Sequence, residues 1–430
     1  MTETASITGS RDFRIFWVGE GTSKFSSAMT VVAVPLVATQ TLAAGPLLVG
    51  VIEAVTWLPW LVIGLLVGAW VDRVSRWRVM IAADLVSVVA LGSVPLAAAF
   101  GLLTIWQLMV VAVVLGGASV FYSTAYSAYL PVLFPAMDLA SANGKLMGTE
   151  KAAQVAGPGL AGLIMRVVAP AGVLLVNAVT FLVSALCLCF LRREEPHVRA
   201  LREGGADRTG RLWRDIGEGI RFVRTNVYLR TLTLYAAASN LVAGALQAVL
   251  VVFLLRTVHL DATVIGLVLG ALGAGGIVGA FLAAPLTRSL GSARAIVASE
   301  ACMPFALLMP LAQRGFGLAL LIGGGTMVSA GIVASNVISA TFLQTYCPPR
   351  MMGRVSAATR VVNFGTLPVG ALLGGVLGTA IGLRPTMLVI AISLTLSPLI
   401  LLFSPISRLR DLPGADHAQA CGLPAHEVSQ

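Results

Sequence analysis

Charge is what this chain has least of. Asp, Glu, Lys and Arg supply 11% of its 430 residues against 57% hydrophobic, and mean hydropathy is +0.90. One soluble core cannot bury so much apolar side chain, so lipid is the remaining solvent and the chain is integral to a membrane. Histidine is scarce too, and His197, His259, His417 and His426 all fall in loops or tails. No histidine pair can then hold haem or a metal at membrane depth and no Ser-His pair can assemble there, which argues against an enzyme. The five cysteines, Cys187, Cys189, Cys302, Cys347 and Cys421, contain no CxxC spacing. Cys187 and Cys189 point to different faces of an apolar helix, and all five read as small apolar residues with no disulfide or metal implied. A phosphate-binding loop is missing as well. Asn143-Gly144-Lys145-Leu146 has Leu where the hydroxyl is required and Leu139 where the first Gly would stand, which excludes ATP as the energy source. The polar amino terminus lacks a short apolar stretch ending in a small-residue cleavage site, so the first apolar run is expected to be kept as a span.

What is present is a series of long apolar runs. Windows of about 20 residues place twelve helices, near 15–40, 47–71, 79–100, 104–130, 143–168, 171–191, 229–254, 263–286, 294–312, 316–345, 354–380 and 384–405. With the amino terminus inside, inner loops and tails collect 22 Lys and Arg and outer loops only Arg166, Arg256, Arg314 and Arg384. Both termini are therefore expected in the cytoplasm. The same bias accounts for the net charge of +10 without nucleic acid. In the middle, 192–230 begins Gly-rich and charge-mixed, then places Leu212, Ile216, Ile220 and Val223 on one helical stripe, a helix expected to lie along the inner membrane surface.

The halves echo one another. Gly64 to Gly68 followed by Asp72-Arg73 returns 215 residues later as Gly279 to Ala283 followed by Thr287-Arg288, and Asp84 returns as Glu300. At an offset of 210, Glu150 matches Arg360 and Pro158 matches Pro368. Such a parallel repeat is a transporter device. The expected fold is an all-α membrane protein with twelve transmembrane helices in two pseudo-symmetric six-helix bundles. Residues 1–191 form the N-terminal bundle, 192–228 a cytoplasmic linker with an amphipathic helix, 229–405 the C-terminal bundle and 406–430 a cytoplasmic tail.

Between the second and third spans, Gly68-x-x-x-Asp72-Arg73-x-x-Arg76-x-Arg78 resembles the signature loop of the major facilitator superfamily, with Ser75 and Trp77 where the family usually has Gly and a basic residue. PVLFPAMDLASANGKL and LWRDIGEGIRFVRTN are similar to the drug:proton antiporter branch that includes macrolide and enterobactin exporters. Gly157-Pro158-Gly159-Leu160-Ala161-Gly162 resembles the Gly-Pro motif linked with antiporters, with Ala153 in place of a Gly. The resemblance implies a secondary transporter of the cell's inner membrane that works by alternating access, draws on a proton gradient and needs no cofactor. The loop reads physically as a latch. Asp72 can face the N-terminal end of a helix near Gly353, and Arg73, Arg76 and Arg78 can pair with acids or lipid phosphates.

Ionisable groups at membrane depth are costly and mark function. Glu20 and Lys24 are spaced i, i+4 on the first span, in the favourable order for an ion pair, and Ser27 continues their face. Glu53 has no charged neighbour at helical spacing and is the foremost candidate to load and release a proton. Glu150 and Lys151 are adjacent and cannot neutralise one another well, so Glu150 is expected to meet Arg360. Asp84 and Glu300, two turns into equivalent spans, are expected to serve the loop network with the latch residues. Gly64-x-x-x-Gly68, Gly266-x-x-x-Gly270 and Gly275-x-x-x-Gly279 permit close helix approach. The stretch FYSTAYSAY, Phe121 to Tyr129, alternates aromatic and small polar residues and could line a cavity for an amphiphile or pack in an interfacial belt. Two transporter readings follow: efflux of amphiphilic small molecules of drug, antibiotic or siderophore type, or import or facilitated diffusion of a small metabolite. A non-transporting scaffold or receptor is the alternative from another class. The partners expected are substrate, protons and the lipid bilayer, with the protein as a monomer.

Overall fold

The computed structural model describes residues 11–71, 74–133, 136–191 and 208–413, and among them regular structure is entirely helical. In chain order the helices are α1 Arg11–Leu36, α2 Pro46–Val62, α3 Gly64–Val71, α4 Arg76–Ala99, α5 Ile105–Leu133, α6 Ala136–Ile164 and α7 Pro170–Cys189. There follow α8 Arg208–Thr225, α9 Val227–Arg256, α10 Ala262–Leu290, α11 Ser292–Glu300, α12 Phe316–Tyr346, α13 Pro349–Ala380, α14 Leu383–Leu396 and α15 Leu399–Leu402. Nine helical segments among the described residues are long and apolar enough to cross a membrane. The protein is thus an all-α, multi-pass membrane protein. The expected spans outside that set are the first, second and fifth. α1 and α6 carry Glu20, Lys24, Glu150 and Lys151, which lower their hydropathy, and the second is interrupted at Ile63 between α2 and α3.

Local chemistry sets the helix ends. Pro46 and Pro170 stand in the first turns of α2 and α7, where a missing N–H leaves no hydrogen bond unmade. Asn226 caps α9: its Oδ1 accepts the N–H groups of Tyr228 and Leu229, each at 3.1 Å, and its Nδ2 donates to the Tyr346 hydroxyl at 2.6 Å. The ninth expected span is not one helix. α11 stops at Glu300, and after Ala301 and Cys302 the chain continues as a 3-10 helix, Met303–Leu311. Pro304 and Pro310 supply no N–H to the α-helical ladder, which weakens it here and favours the change of helix type.

The chain folds into two compact units, Met1–Ala206 with Val251–Gly270 and Asp207–Leu250 with Ala271–Gln430. The second boundary departs from the sequence division, because the end of α9 and the start of α10 belong to the first unit. Glycine explains this. A side chain at Gly162 would lie 2.9 Å from the backbone of Ala262 and Thr263, and one at Gly266 would strike the Pro158 carbonyl. The Thr263 hydroxyl donates to the Gly162 carbonyl at 2.8 Å, and Arg256 Nη2 donates to the Ala44 carbonyl at 2.7 Å. Gly266 and Gly270 therefore serve the close approach their spacing implies. Elsewhere in this unit α1 packs on α6 and α7, and α4 on α5 and α7.

In the second unit Gly275 and Gly279 lie against the backbone of Thr326 and Ala330, as their spacing predicts. Gly64 and Gly68 differ, since a Cβ at either would meet open space. α8 packs on α13, with Gly219 against the Arg354 carbonyl and Glu218 ion-paired to Arg354. Of its expected apolar stripe, Val223 is buried in this unit's core and Ile220 is exposed; the side chains of Leu212 and Ile216 lie outside those described. Part of the expected tail is also packed: Ile406 and Leu412 are buried, and the Arg410 carbonyl accepts from Ala293 N at 3.1 Å.

Candidate functional site

The first unit holds a largely buried ionic cluster assembled from five helices. Glu20, on α1, is only 3% exposed although it is a carboxyl. Its Oε2 accepts the Tyr122 hydroxyl of α5 at 2.7 Å, and its Oε1 faces Lys24 Nζ at 3.4 Å. The same ammonium reaches Glu150 Oε2 of α6 at 3.6 Å and sits 5.7 Å from the centre of the Tyr126 ring. One cation is thus shared by two carboxylates, with an aromatic face beneath it. Asp84 of α4, 1% exposed, lies within electrostatic reach of Glu20 and faces the Ser184 hydroxyl of α7. Ser184 also faces Tyr122. Asp84 Oδ2, Glu20 Oε1 and Ser184 Oγ have no well-aligned hydrogen-bond partner. Two carboxyls share one ammonium and a third, Asp84, stands within reach of Glu20, a surplus of negative charge that a proton can balance.

This arrangement corrects several expectations. The cation at Glu150 is Lys24, and Gln154, one turn on, donates to Glu150 Oε1 at 3.3 Å. Lys151 donates to Gln154 Oε1 at 3.0 Å, and Arg360 is exposed on α13. Asp84 and Glu300 are not at the loops. Two turns of helix carry a residue about 11 Å from its end, enough to take both into the interior of their units, where Glu300 is 2% exposed and faces Tyr235 and Ser335. Glu53 is half-buried on α2, where the Trp57 indole one turn away donates to its Oε1 at 3.1 Å. Ser27 turns its hydroxyl back to the Ser23 carbonyl of its own helix at 3.0 Å.

Of the latch residues, Asp72 and Arg73 lie outside the described residues. Arg76 donates to the Ala128 carbonyl of α5 at 3.1 Å, which ties the start of α4 to its own unit, and Arg78 is exposed. Gly157 rests against Ala28 of α1, and Pro158 and Gly162 present their backbone to α10. The Gly-Pro segment thus acts as a contact surface for two helices at once.

Sequence reasoning did not bring Tyr122, Tyr126, Ser184 and Asp84 together with Glu20. The tyrosines were visible as an i, i+4 pair in FYSTAYSAY, a spacing that puts both on one helix face. Tyr129, in the same stretch, packs in the core and donates to the Leu191 carbonyl at 3.2 Å. No local signal pointed from Asp84 or Ser184 to Glu20, since both come from other helices.

Comparison with known proteins places this geometry in context. The profile described as transmembrane secretion effector matches residues 5–429. The multidrug efflux pump Tap of Mycolicibacterium fortuitum is 29% identical over 368 residues, covering 83% of this chain and 86% of that protein. Macrolide efflux protein A of Streptococcus pyogenes is 23% identical over 378 residues, covering 86% and 90%. Among solved structures, the nucleoside transporter NupG superposes with a TM-score of 0.72 at 11% identity, covering 91% of this chain and 98% of that one. A bacterial homologue of the iron transporter ferroportin gives 0.68 at 16% identity, covering 91% and 98%. At those identities the structural likeness speaks for the fold alone.

Proposed function

Because the chain belongs to the transmembrane secretion effector family of the major facilitator superfamily, and is a secondary transporter and not an enzyme, we propose that it exports amphiphilic small molecules in exchange for protons. The observation that carries the proton half is the sharing of Lys24 by Glu20 and Glu150, at 3.4 and 3.6 Å, beside the buried carboxyl of Asp84. A proton arriving at this cluster converts one carboxylate to a neutral acid and frees Lys24 to favour the other, so proton binding moves an ion pair from one helix to another. A proton that biases which helices are clasped together biases a two-state equilibrium. The efflux half is supported by the drug and macrolide exporters among the relatives. The fuller picture is twelve spans in two six-helix bundles that alternate access across the inner membrane, both termini in the cytoplasm. Gly68, Asp72, Arg73, Arg76 and Arg78 form the latch in this reading.

The test is transport in inverted membrane vesicles across macrolides, siderophores and cationic dyes, with and without an imposed pH gradient. For a neutral substrate exchanged with one proton, each pH unit is worth about 1.4 kcal/mol and supports about tenfold accumulation. Uptake into vesicles that rises with the gradient and collapses when it is dissipated is the expected result. Equilibration that ignores the gradient would identify a facilitator.

A further inference from the structure

The second unit buries a carboxyl for which the function above has no use. Glu300 stands at the last residue of α11, at the break where the span changes from α-helix to 3-10 helix. It is 2% exposed. The hydroxyls of Tyr235 on α9 and Ser335 on α12 face it, and Tyr235 in turn faces Ser239 and Ser397. Neither carboxyl oxygen of Glu300 has a well-aligned hydrogen bond, and neither do the hydroxyl oxygens of Ser239 and Ser335.

The internal repeat shows what this cluster is. Moving five members of the first unit's cluster along the chain by 213 to 216 residues converts Glu20 to Tyr235, Lys24 to Ser239, Asp84 to Glu300, Tyr122 to Ser335 and Ser184 to Ser397, while Glu150 matches the exposed Arg360 at an offset of 210. The two clusters occupy equivalent positions in the two halves, and each keeps an acid from the third helix of its half, a tyrosine and a serine. They differ in one decisive respect. The position that supplies the ammonium in the first cluster supplies a hydroxyl in the second. Among the described residues, the elements packed on α11 and its 3-10 continuation bring no substitute: α12 contains no charged residue, Arg230 on α9 and Arg294 on α11 itself are exposed, and so are Arg408, Arg410 and Asp411 beside α11. Arg384 of α14 is engaged at a distant point, donating to the Ala312 carbonyl at 2.9 Å. The ionisable neighbours that remain are Tyr235 and Cys302, neither of which is a base that could serve as counter-ion. A buried carboxylate with no counter-ion is costly, whereas the neutral acid can donate to one hydroxyl and accept from another.

We propose that Glu300 is a second proton-binding site, in which a carboxylate oxygen takes a proton delivered by water to become a carboxylic acid held between Tyr235 and Ser335, and returns it to water when the site opens. The proposal goes beyond the exchange reading and does not require it. The break in the helix beside Glu300 gives the site a means of opening, because a 3-10 stretch has poorer hydrogen-bond geometry than an α-helix and often marks a hinge.

The test is infrared difference spectroscopy of the full chain in lipid nanodiscs, alternating acid and alkaline buffer without sodium. Wild type should show protonated-carboxyl bands that vanish on alkalinisation. Glu300→Gln should lose one of them while keeping the band that Glu20→Gln removes, and Tyr235→Phe should shift the Glu300 band by removing a hydrogen-bond partner. Should Glu300→Gln prove unstable, the Tyr235→Phe shift answers the same question in a protein that retains the carboxyl. An unchanged spectrum in both variants would overturn the proposal, as would a Glu300 band that disappears on adding sodium at constant acid pH, which would make the site a metal-cation site. A Glu300 band with the expected behaviour in a protein whose transport ignores the pH gradient would support the second site and remove only the exchange reading.

Discussion

Glu20→Gln should leave a folded, substrate-binding protein that has lost gradient-driven transport. The amide is nearly isosteric with the acid, its Oε1 can still accept the Tyr122 hydroxyl that now reaches Glu20 at 2.7 Å, and Lys24 keeps Glu150 at 3.6 Å. What the amide cannot do is take up and release a proton. Accumulation in inverted vesicles should fall from about tenfold per pH unit to the level without a gradient, in keeping with the free energy of one proton. Substrate binding measured by fluorescence should change far less than transport does. Glu53→Gln is the comparison, because that side chain accepts a single indole N–H at 3.1 Å outside the cluster. It should keep the larger part of the gradient response. If the two variants exchange these behaviours, the proton carrier is Glu53.

Lys24→Gln should have the second large effect, and a different one. Removing the ammonium leaves Glu20 and Glu150 without their shared cation, one 3% exposed and the other partly covered. Breaking a buried ion pair from one side costs about 3–5 kcal/mol, and the lower end applies to a lysine side chain that is 30% exposed. Both stability and transport should therefore drop, seen as a lower melting temperature in detergent together with lost accumulation. Lys24→Arg, which retains the charge, should restore much of the stability. Glu20→Gln shares the transport defect without the melting defect, so the two variants separate the carrying of a proton from the balancing of charge.

Much of the fold was legible because membranes impose simple rules. Apolar runs, the Arg-rich loops and the glycine spacings at Gly266, Gly270, Gly275 and Gly279 report properties that one stretch of chain carries by itself. The Glu20 and Lys24 pair was legible for the same reason, being set by helical periodicity. The remainder of the cluster was not. Glu150 reaches Lys24, and Asp84 reaches Glu20, across helix interfaces whose rotation is decided by packing, for instance by the stacking of Phe16 on Tyr126 with ring centres 6.0 Å apart. Placing Asp84 and Glu300 with the loops failed for want of depth: nearness to charge in sequence says little about nearness in space after two turns of helix. The repeat offset, which in the sequence pairs Asp84 with Glu300 and Glu150 with Arg360, extends to Glu20, Lys24, Tyr122 and Ser184 once the helices are seen to pack alike. The interruption of the second span at Ile63 and of the ninth at Glu300 needed coordinates, since prolines mark where a helix can break and not where it does.

The central claim is that the cluster around Glu20 exchanges a proton for substrate, and proton release on substrate addition measures it most directly. Purified protein in weakly buffered detergent solution, loaded with protons at mildly acid pH, should release protons when a transported macrolide or dye is added, and Glu20→Gln should release fewer by one per protein. Substrate binding without any proton release in wild type, or the same release from Glu20→Gln, would contradict the account.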